Sequence, residues 1–291
     1  MAKRPRGNVF IINTLSAQQE HHDMDTVKSK LPFGSIIAGV VGLGIMLAGA
    51  IIEGSPVAGF LNIPAILIVG GGTTGATMAA FGLETFLTIG KAFMTAQNAA
   101  QPNWEKTAEN LVHAAELARK EGMLRLEKEA QEATDPFLAV AYQLLADGAD
   151  PSVMREILWA EAESEHTQVK TYAAIFEKAG GFSPTMGIIG TVMGLTHALQ
   201  LLDKPDELGP AIASAFMATL YGVSSANLFL LPTGNRIAEL GKQQEAYREF
   251  IIAAIMSIQR GDNPRQVAEK LSAMAPVPLD AEELRGKKSG G

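Results

Sequence analysis

The chain has 291 residues, 47% of them hydrophobic and only 19% charged, with 29 glycines and no cysteine. Soluble domains carry about 25% charged residues, so a charge-poor, Gly-rich, aliphatic chain points to helices packed closely in lipid. The missing cysteines exclude disulfides, thiolate-ligated zinc, iron–sulfur clusters and thiol nucleophiles, and a formal net charge of −7 argues against a nucleic-acid partner.

Residues 1–32 read as a polar, cytoplasmic N-terminal leader, with an apolar patch at Val9–Ile12 suited to a membrane surface. Beyond it, four stretches lack Asp, Glu, Lys and Arg: between Lys30 and Glu53, Glu53 and Glu84, Lys178 and Asp203, and Glu207 and Arg236. A spanning helix needs about 20 apolar residues to cross about 30 Å of hydrocarbon, and each stretch reaches that length. The predicted spans are Phe33–Ile52, Ile63–Leu83, Phe182–Leu202 and Gly209–Leu231. The first is too long for the apolar core of a signal peptide and starts too late, so it reads as a retained helix.

Residues 84–181 hold 16 acids and 9 bases, and so carry the acidity of the chain. Their periodicity is helical: Leu111, Val112, Ala115 and Leu117 form an apolar stripe within Trp104–Glu121, and Phe137–Leu145 and Val153–Trp159 behave alike. Asp147–Pro151 reads as a turn before a helix start. Residues 236–274 read as a helical run broken at Gly261–Pro264, and residues 275–291 as a disordered tail. The links between paired spans have almost no Lys or Arg, whereas Lys28, Lys30, Lys91, Lys170, Lys178 and Arg236 flank the opposite ends. The positive-inside rule then places both termini in the cytoplasm.

The expected architecture is an all-α membrane protein, with four transmembrane helices in two hairpins and a helical cytoplasmic domain. Its segments are the leader (1–32), the first two spans (33–83), the cytoplasmic domain (84–181), the last two spans (182–232), and a C-terminal helix with its tail (233–291).

No catalytic constellation emerges. The five histidines lack partners at metal-ligand spacing, and His113 with Glu116 reads as a solvated helix face. Gly70-Gly71-Gly72-Thr73-Thr74-Gly75 lacks the Lys of a phosphate loop, and Gly42-Leu43-Gly44 meets Leu47 where a dinucleotide motif needs its third glycine. Both read instead as close-packing sites between helices. Ser214, Ala218, Gly222 and Ala226 form one small-residue face, and Gly190, Gly194 and Ala198 form another. The last two spans also carry Thr191, Thr196, His197, Thr219, Tyr221, Ser224, Ser225 and Asn227. In lipid such groups should face protein or a water-filled path. No span holds an interior carboxylate, Lys or Arg, so a cation crossing here needs a carboxylate from another chain.

Phe182-Ser183-Pro184-Thr185-Met186-Gly187-Ile188-Ile189-Gly190-Thr191-Val192-Met193-Gly194-Leu195 resembles the third membrane helix of the MotA/PomA stator proteins of the bacterial flagellar motor. Leu208–Ala213, Ala218–Gly222 and Asn227–Pro232 are similar to the fourth. Ala118-Arg119-Lys120-Glu121-Gly122-Met123-Leu124-Arg125-Leu126-Glu127 resembles the family's rotor-facing motif, and Asp262–Arg265 its C-terminal helix break. The resemblance implies a homo-oligomeric ring, a pentamer, around a MotB/PomB-type partner. That partner contributes one helix bearing the ion-accepting Asp and a domain that grips peptidoglycan. It further implies an inner-membrane, multi-pass subunit that is not an enzyme and holds no cofactor, the H+ or Na+ being cargo. Ion flow would turn a FliG-type rotor protein. By the same resemblance, Thr191 and Thr219 line the ion path, Pro184 and Pro232 couple it to motion, and Arg119 and Glu127 face the rotor. The leader departs from the family's usual start. The alternative is the ExbB/TolQ type, which has a single helix before the cytoplasmic domain.

Overall fold

A computed structural model describes residues 26–27, 34–54, 57–98 and 101–286. Its elements, in chain order, begin with strand β1 (Thr26–Val27), α1 (Gly34–Ile52), α2 (Ile63–Phe81), α3 (Leu83–Phe86), α4 (Ile89–Asn98) and strand β2 (Gln101–Pro102). There follow α5 (Trp104–Glu121), α6 (Leu126–Glu132), α7 (Pro136–Ala146) and α8 (Pro151–Leu199). The chain continues through α9 (Pro205–Ser225), a π-helical turn (Ala226–Leu230), α10 (Leu231–Gln259), α11 (Pro264–Met274) and α12 (Glu283–Gly286). β1 and β2 make one two-residue antiparallel bridge, Thr26 opposite Pro102 and Val27 opposite Gln101. Among the described residues the secondary structure is otherwise helical.

Two compact units emerge. One contains residues 100–166 and 243–291, with the β1 strand; the other contains residues 29–99 and 167–242. In the first, short polar residues start the helices. Asn103 accepts a hydrogen bond from the Lys106 amide, Asp135 from Phe137, and Asn263 from Arg265, satisfying N–H groups that the first turn leaves without partners. Pro136 and Pro264 occupy first-turn positions, where the missing proline N–H costs nothing. The apolar stripes then close one core around Leu111, Leu126, Phe137, Leu145, Met154, Leu158, Phe250, Ile255 and Ile258, all with at most 2% exposure. Trp104 stands edge-on to Tyr247 and Phe250, with ring centroids 5.3 and 5.2 Å away.

One cation sits in this core. Arg248 is 10% exposed at its side chain and reaches Asp135 at 2.6 Å and Glu165 at 2.9 Å, while its guanidinium lies 4.5 Å from the centre of the Phe137 ring. Burial alone would lower its pKa, but the two carboxylates outweigh that and hold it above the usual arginine value. Arg248 thus ties the start of α7, the first half of α8 and α10 together. Nearby, burial pushes the Glu161 carboxyl up, with help from Glu165, and burial likewise raises the Tyr142 and Tyr247 phenols.

The second unit inverts this pattern. Among the described residues, Ile63–Phe81 and Pro205–Gln259 are long and apolar enough to cross a membrane, and Ile36–Ile52 is a shorter apolar helix. Ile37, Ile45, Leu67, Ile188 and Phe216 are all more than half exposed. Small clusters hold the helices together, such as Ala65, Val69 and Ala218 with Met217 and Tyr221 against them.

Several expectations shift. The second apolar helix ends at Phe81 rather than Leu83, because Gly82 takes φ 79° and turns the chain out of the helix. The last apolar helix begins at Pro205, four residues before Gly209, with Asp206 and Glu207 in its first turn, where the helix dipole favours acids. The expected disordered tail is docked up to Gly286: Leu279 and Ala281 pack on the core and Leu284 is 7% exposed. Three apolar side chains outweigh the polar, Pro-bearing composition there. Residues 287–291, and the Val9–Ile12 patch, lie outside the described residues.

Candidate functional site

Where α8 and α9 run against each other, glycine sets the distance. A Cβ added at Gly187 would lie 2.8 Å from the Ala218 carbonyl, and one at Gly190 2.6 Å from the Ala218 methyl. At Gly194 it would lie 2.6 Å from the Ala215 methyl, and at Gly222 2.5 Å from the Ser183 carbonyl. Only hydrogen at these positions lets the backbones touch, which is how helices associate without a hydrophobic drive between them. The two small faces read from the sequence meet here.

That contact brings together Thr191 and Thr219, whose hydroxyl oxygens are 2.6 Å apart. Both side chains are half-buried. The Thr191 oxygen also lies 3.1 Å from the Gly187 and the Ala215 carbonyls. A hydroxyl has one proton and two lone pairs, so Thr191 keeps a carbonyl partner only while it accepts from Thr219; donating to Thr219 gives up both carbonyls. Such a pair offers oxygens to a cation but cannot itself hold an ionised charge near neutral pH.

Two further polar contacts lie along the same helices. Ser183 and Ser225 share a 2.7 Å hydrogen bond, and the Asn62 amide donates to the Ser214 hydroxyl at 2.5 Å. The Tyr221 hydroxyl donates to the Phe60 carbonyl and accepts from the Asn62 N–H at 2.9 Å, pinning the loop before α2 to α9. Thr196 and Asn227, by contrast, return to their own helix at the Val192 and Val223 carbonyls. A cleft of about 690 Å³ extends from His197, Asp206 and Glu207 to Gly190 and Ala218, the neighbours in sequence of Thr191 and Thr219. Among the described residues no group of three His, Asp or Glu is arranged to hold a metal.

The two prolines occupy different settings. Pro184 lies inside α8, where its ring removes the donor for the Gly180 carbonyl. Its Cα would be 3.2 Å from a Cβ at Gly222, so the disturbed turn lies against the tightest helix contact. Pro232 follows the π-helical turn. There the Leu231 N–H bonds the Ala226 carbonyl five residues back, widening the helix ahead of a residue that cannot donate to Leu228. The Leu228 carbonyl then faces α1, 2.6 Å from where a Gly39 Cβ would be.

Arg119 and Glu127 belong to the other unit, at the turn between α5 and α6. Both are exposed. Their neighbours are paired: Lys120 with Glu116, Arg125 with Glu121 and Glu129, and Lys128 with Glu132. Among the described residues, Arg119 and Glu127 have no ion pair or hydrogen bond of their own.

Reasoning from sequence missed Asn62, Ser183 and Gly39 as contributors. Ser183 directly precedes Pro184 and Asn62 lies two residues before Pro64, a local hint of structured helix turns, while Gly39 carries no signal apart from nearby Gly42. The Gly70–Gly75 run was expected to pack closely, but only Gly72 does so within the chain, against the Met186 sulfur at 2.7 Å from an added Cβ. At Gly70, Gly71 and Gly75 such a Cβ meets nothing within 4 Å.

Comparison with known proteins points the same way. Residues 129–250 match the model of the MotA/TolQ/ExbB proton channel family. Motility protein A of Bacillus subtilis is 33% identical over 245 residues, 81% of this chain and 90% of that protein. The C. jejuni MotAB structure superimposes with a TM-score of 0.80 at 26% identity, over 86% of this chain and 98% of that one. The flagellar MotAB stator complex from Bacillus subtilis gives 0.76 at 31% identity, over 88% and 98%. These relatives favour the stator branch over the ExbB/TolQ alternative, and a membrane unit closed by glycines and hydroxyls fits them. The chain belongs to the MotA/PomA family of flagellar motor stator proteins.

Proposed function

We propose that this chain forms a homo-oligomeric ring, a pentamer, around a MotB/PomB-type single-helix partner in the bacterial inner membrane, with four spans and both termini cytoplasmic. The ring and partner together conduct H+ or Na+ and convert that flow into torque on a FliG-type rotor protein. The observation that carries this reading is the Thr191–Thr219 hydroxyl pair, set in stretches, Lys178 to Asp203 and Glu207 to Arg236, that hold no carboxylate between those bounds. A bare cation in hydrocarbon is costly, and a path needs a negative group or a dense set of oxygens. Hydroxyls from this chain provide oxygens; a carboxylate on the partner helix neutralises the ion.

Pro184 interrupts the backbone hydrogen bonds of α8 and Pro232 those at the start of α10, which continues α9 through the π-helical turn, giving turns that can change when the nearby carboxylate gains or loses its ion. Arg119 and Glu127 present charges toward the rotor that no neighbour in this chain neutralises. The ion is cargo, and the reading assigns no resident cofactor and no enzymatic step. The test is ion flux into vesicles holding this chain alone or co-expressed with the partner. Flux is expected from the pair, weakened by Thr191→Ala or Thr219→Ala with the ring intact; robust flux from this chain alone overturns the mechanism. Swimming speed against external sodium, with and without a protonophore, identifies the ion.

A further inference from the structure

The turn joining α5 to α6 is held stiffly. Gly122 takes φ 88°, its N–H bonds the Ala118 carbonyl at 3.0 Å, and the Arg125 N–H returns to the Gly122 carbonyl at 3.2 Å. The Arg125 side chain straddles the turn, 3.1 Å from Glu121 on α5 and 3.8 Å from Glu129 on α6. Three apolar residues fall here. Met123 packs on the core and Leu126 is wholly buried, but Leu124 between them is 71% exposed.

A single exposed leucine usually means nothing. This one sits at the apex of a braced turn, in the same short motif as Arg119 and Glu127. Those two opposite charges lack partners in a neighbourhood where the other charges are paired internally. A surface with an apolar apex flanked by an unpaired base and an unpaired acid is complementary to a protein recess flanked by an acid and a base. Interfaces draw most of their affinity from a few central, fully desolvated side chains, ringed by contacts that exclude water.

We infer that Leu124 is the apolar anchor of the rotor-facing surface, inserting into a recess of the rotor protein between the groups that meet Arg119 and Glu127, with Arg125 as a positioning residue that holds the apex outward. The inference rests on the rotor-facing reading of Arg119 and Glu127 and adds to it a contact that is not electrostatic. It therefore predicts a part of rotor binding that survives high salt, where exposed charge pairs are screened.

The experiment uses the full chain co-expressed with its single-helix partner, purified in detergent, and binding to the purified rotor protein at low and high salt. Leu124→Ala should weaken binding roughly tenfold at both salt concentrations, the scale of an apolar side chain leaving a recess. Leu124→Met should bind nearly as well as leucine, and Arg119→Glu should weaken binding mainly at low salt. Wild-type binding by Leu124→Ala alongside loss by Arg119→Glu overturns the anchor and leaves the charge contact standing. Wild-type binding by both means this surface does not face the rotor. Altered ring size or failed membrane insertion in Leu124→Ala means the apex is covered by another copy or supports the fold, and also overturns the inference.

Discussion

The two units use the same aliphatic residues in opposite ways. In the unit containing α5, α6, α7 and α11, Leu111, Phe137, Phe250 and Ile255 are buried and the surface is charged. In the unit containing α1, α2 and α9, Ile37, Ile45, Leu67 and Ile188 point outward with 52–68% exposure, and the interior is glycine, alanine and hydroxyl. Where water surrounds a unit, apolar burial drives its packing. Where lipid does, apolar burial gains little, so close backbone contact and hydrogen bonds between helices take over.

The comparison is broken most sharply at Arg248. Arg248→Met leaves the half-buried Asp135 and Glu165 without their cation and should cost about 3 kcal/mol of stability, the low end for a broken buried pair because both carboxylates keep some contact with solvent, read as a lower melting temperature of the detergent-solubilised protein. Adding Asp135→Asn and Glu165→Gln should recover much of it, because Asn still caps α7 and no charge is stranded. If the single variant melts like wild type, the ion cluster does not hold that core.

Arginine on an outward apolar position separates the units next. Ile45→Arg, in the middle of α1, should oppose membrane insertion by about 2.5–3.5 kcal/mol, whereas Val153→Arg on α8 should change stability by no more than about 0.5 kcal/mol. A glycosylation-tagged insertion assay for the first and thermal melts for the second read the contrast, and equal tolerance at both sites would contradict a lipid-facing α1.

Glycine sharpens the comparison within the membrane unit itself. Gly222→Ala presses a methyl onto the Ser183 carbonyl and should cost about 1–3 kcal/mol as overpacking, while Gly70→Ala meets nothing within the chain and should leave the isolated subunit's melt unchanged. A loss of ring assembly in Gly70→Ala without loss of subunit stability would assign that face to a neighbouring copy.

The smallest effect is a pH dependence at the α10–α11 break. Its hydrogen bond from Arg260 holds the Asp262 carboxyl below the ordinary carboxylate value. A depressed folded pKa gives stability that is present above the unfolded pKa of about 3.9 and lost as pH falls through the folded one. Amide exchange in α11 should therefore quicken only in that acid range, and Asp262→Asn should remove the dependence.

Much of the helical layout was legible, since charge-free stretches and apolar stripes are local. Trp104–Glu121 and the break at Gly261–Pro264 are found as read, because caps and periodicity lie within a few residues of each other. Helix ends were less legible: whether the helix before Gly82 stops depends on a backbone angle, and no periodicity records that. The docking of Leu284 was hidden because the core that receives it comes from distant segments.

The candidate site divides in the same way. Composition and spacing alone determined that the charge-free stretches carry hydroxyls and no carboxylate, and that glycines line two faces, because those are properties of the chain's own letters. Only the tertiary structure decided that Thr191 meets Thr219, that Ser183 meets Ser225, and that Arg119 and Glu127 remain unpaired while their neighbours are neutralised. A hydrogen bond between residues 28 positions apart requires two helices in register at van der Waals contact, and that register is set by glycines meeting alanines across the interface.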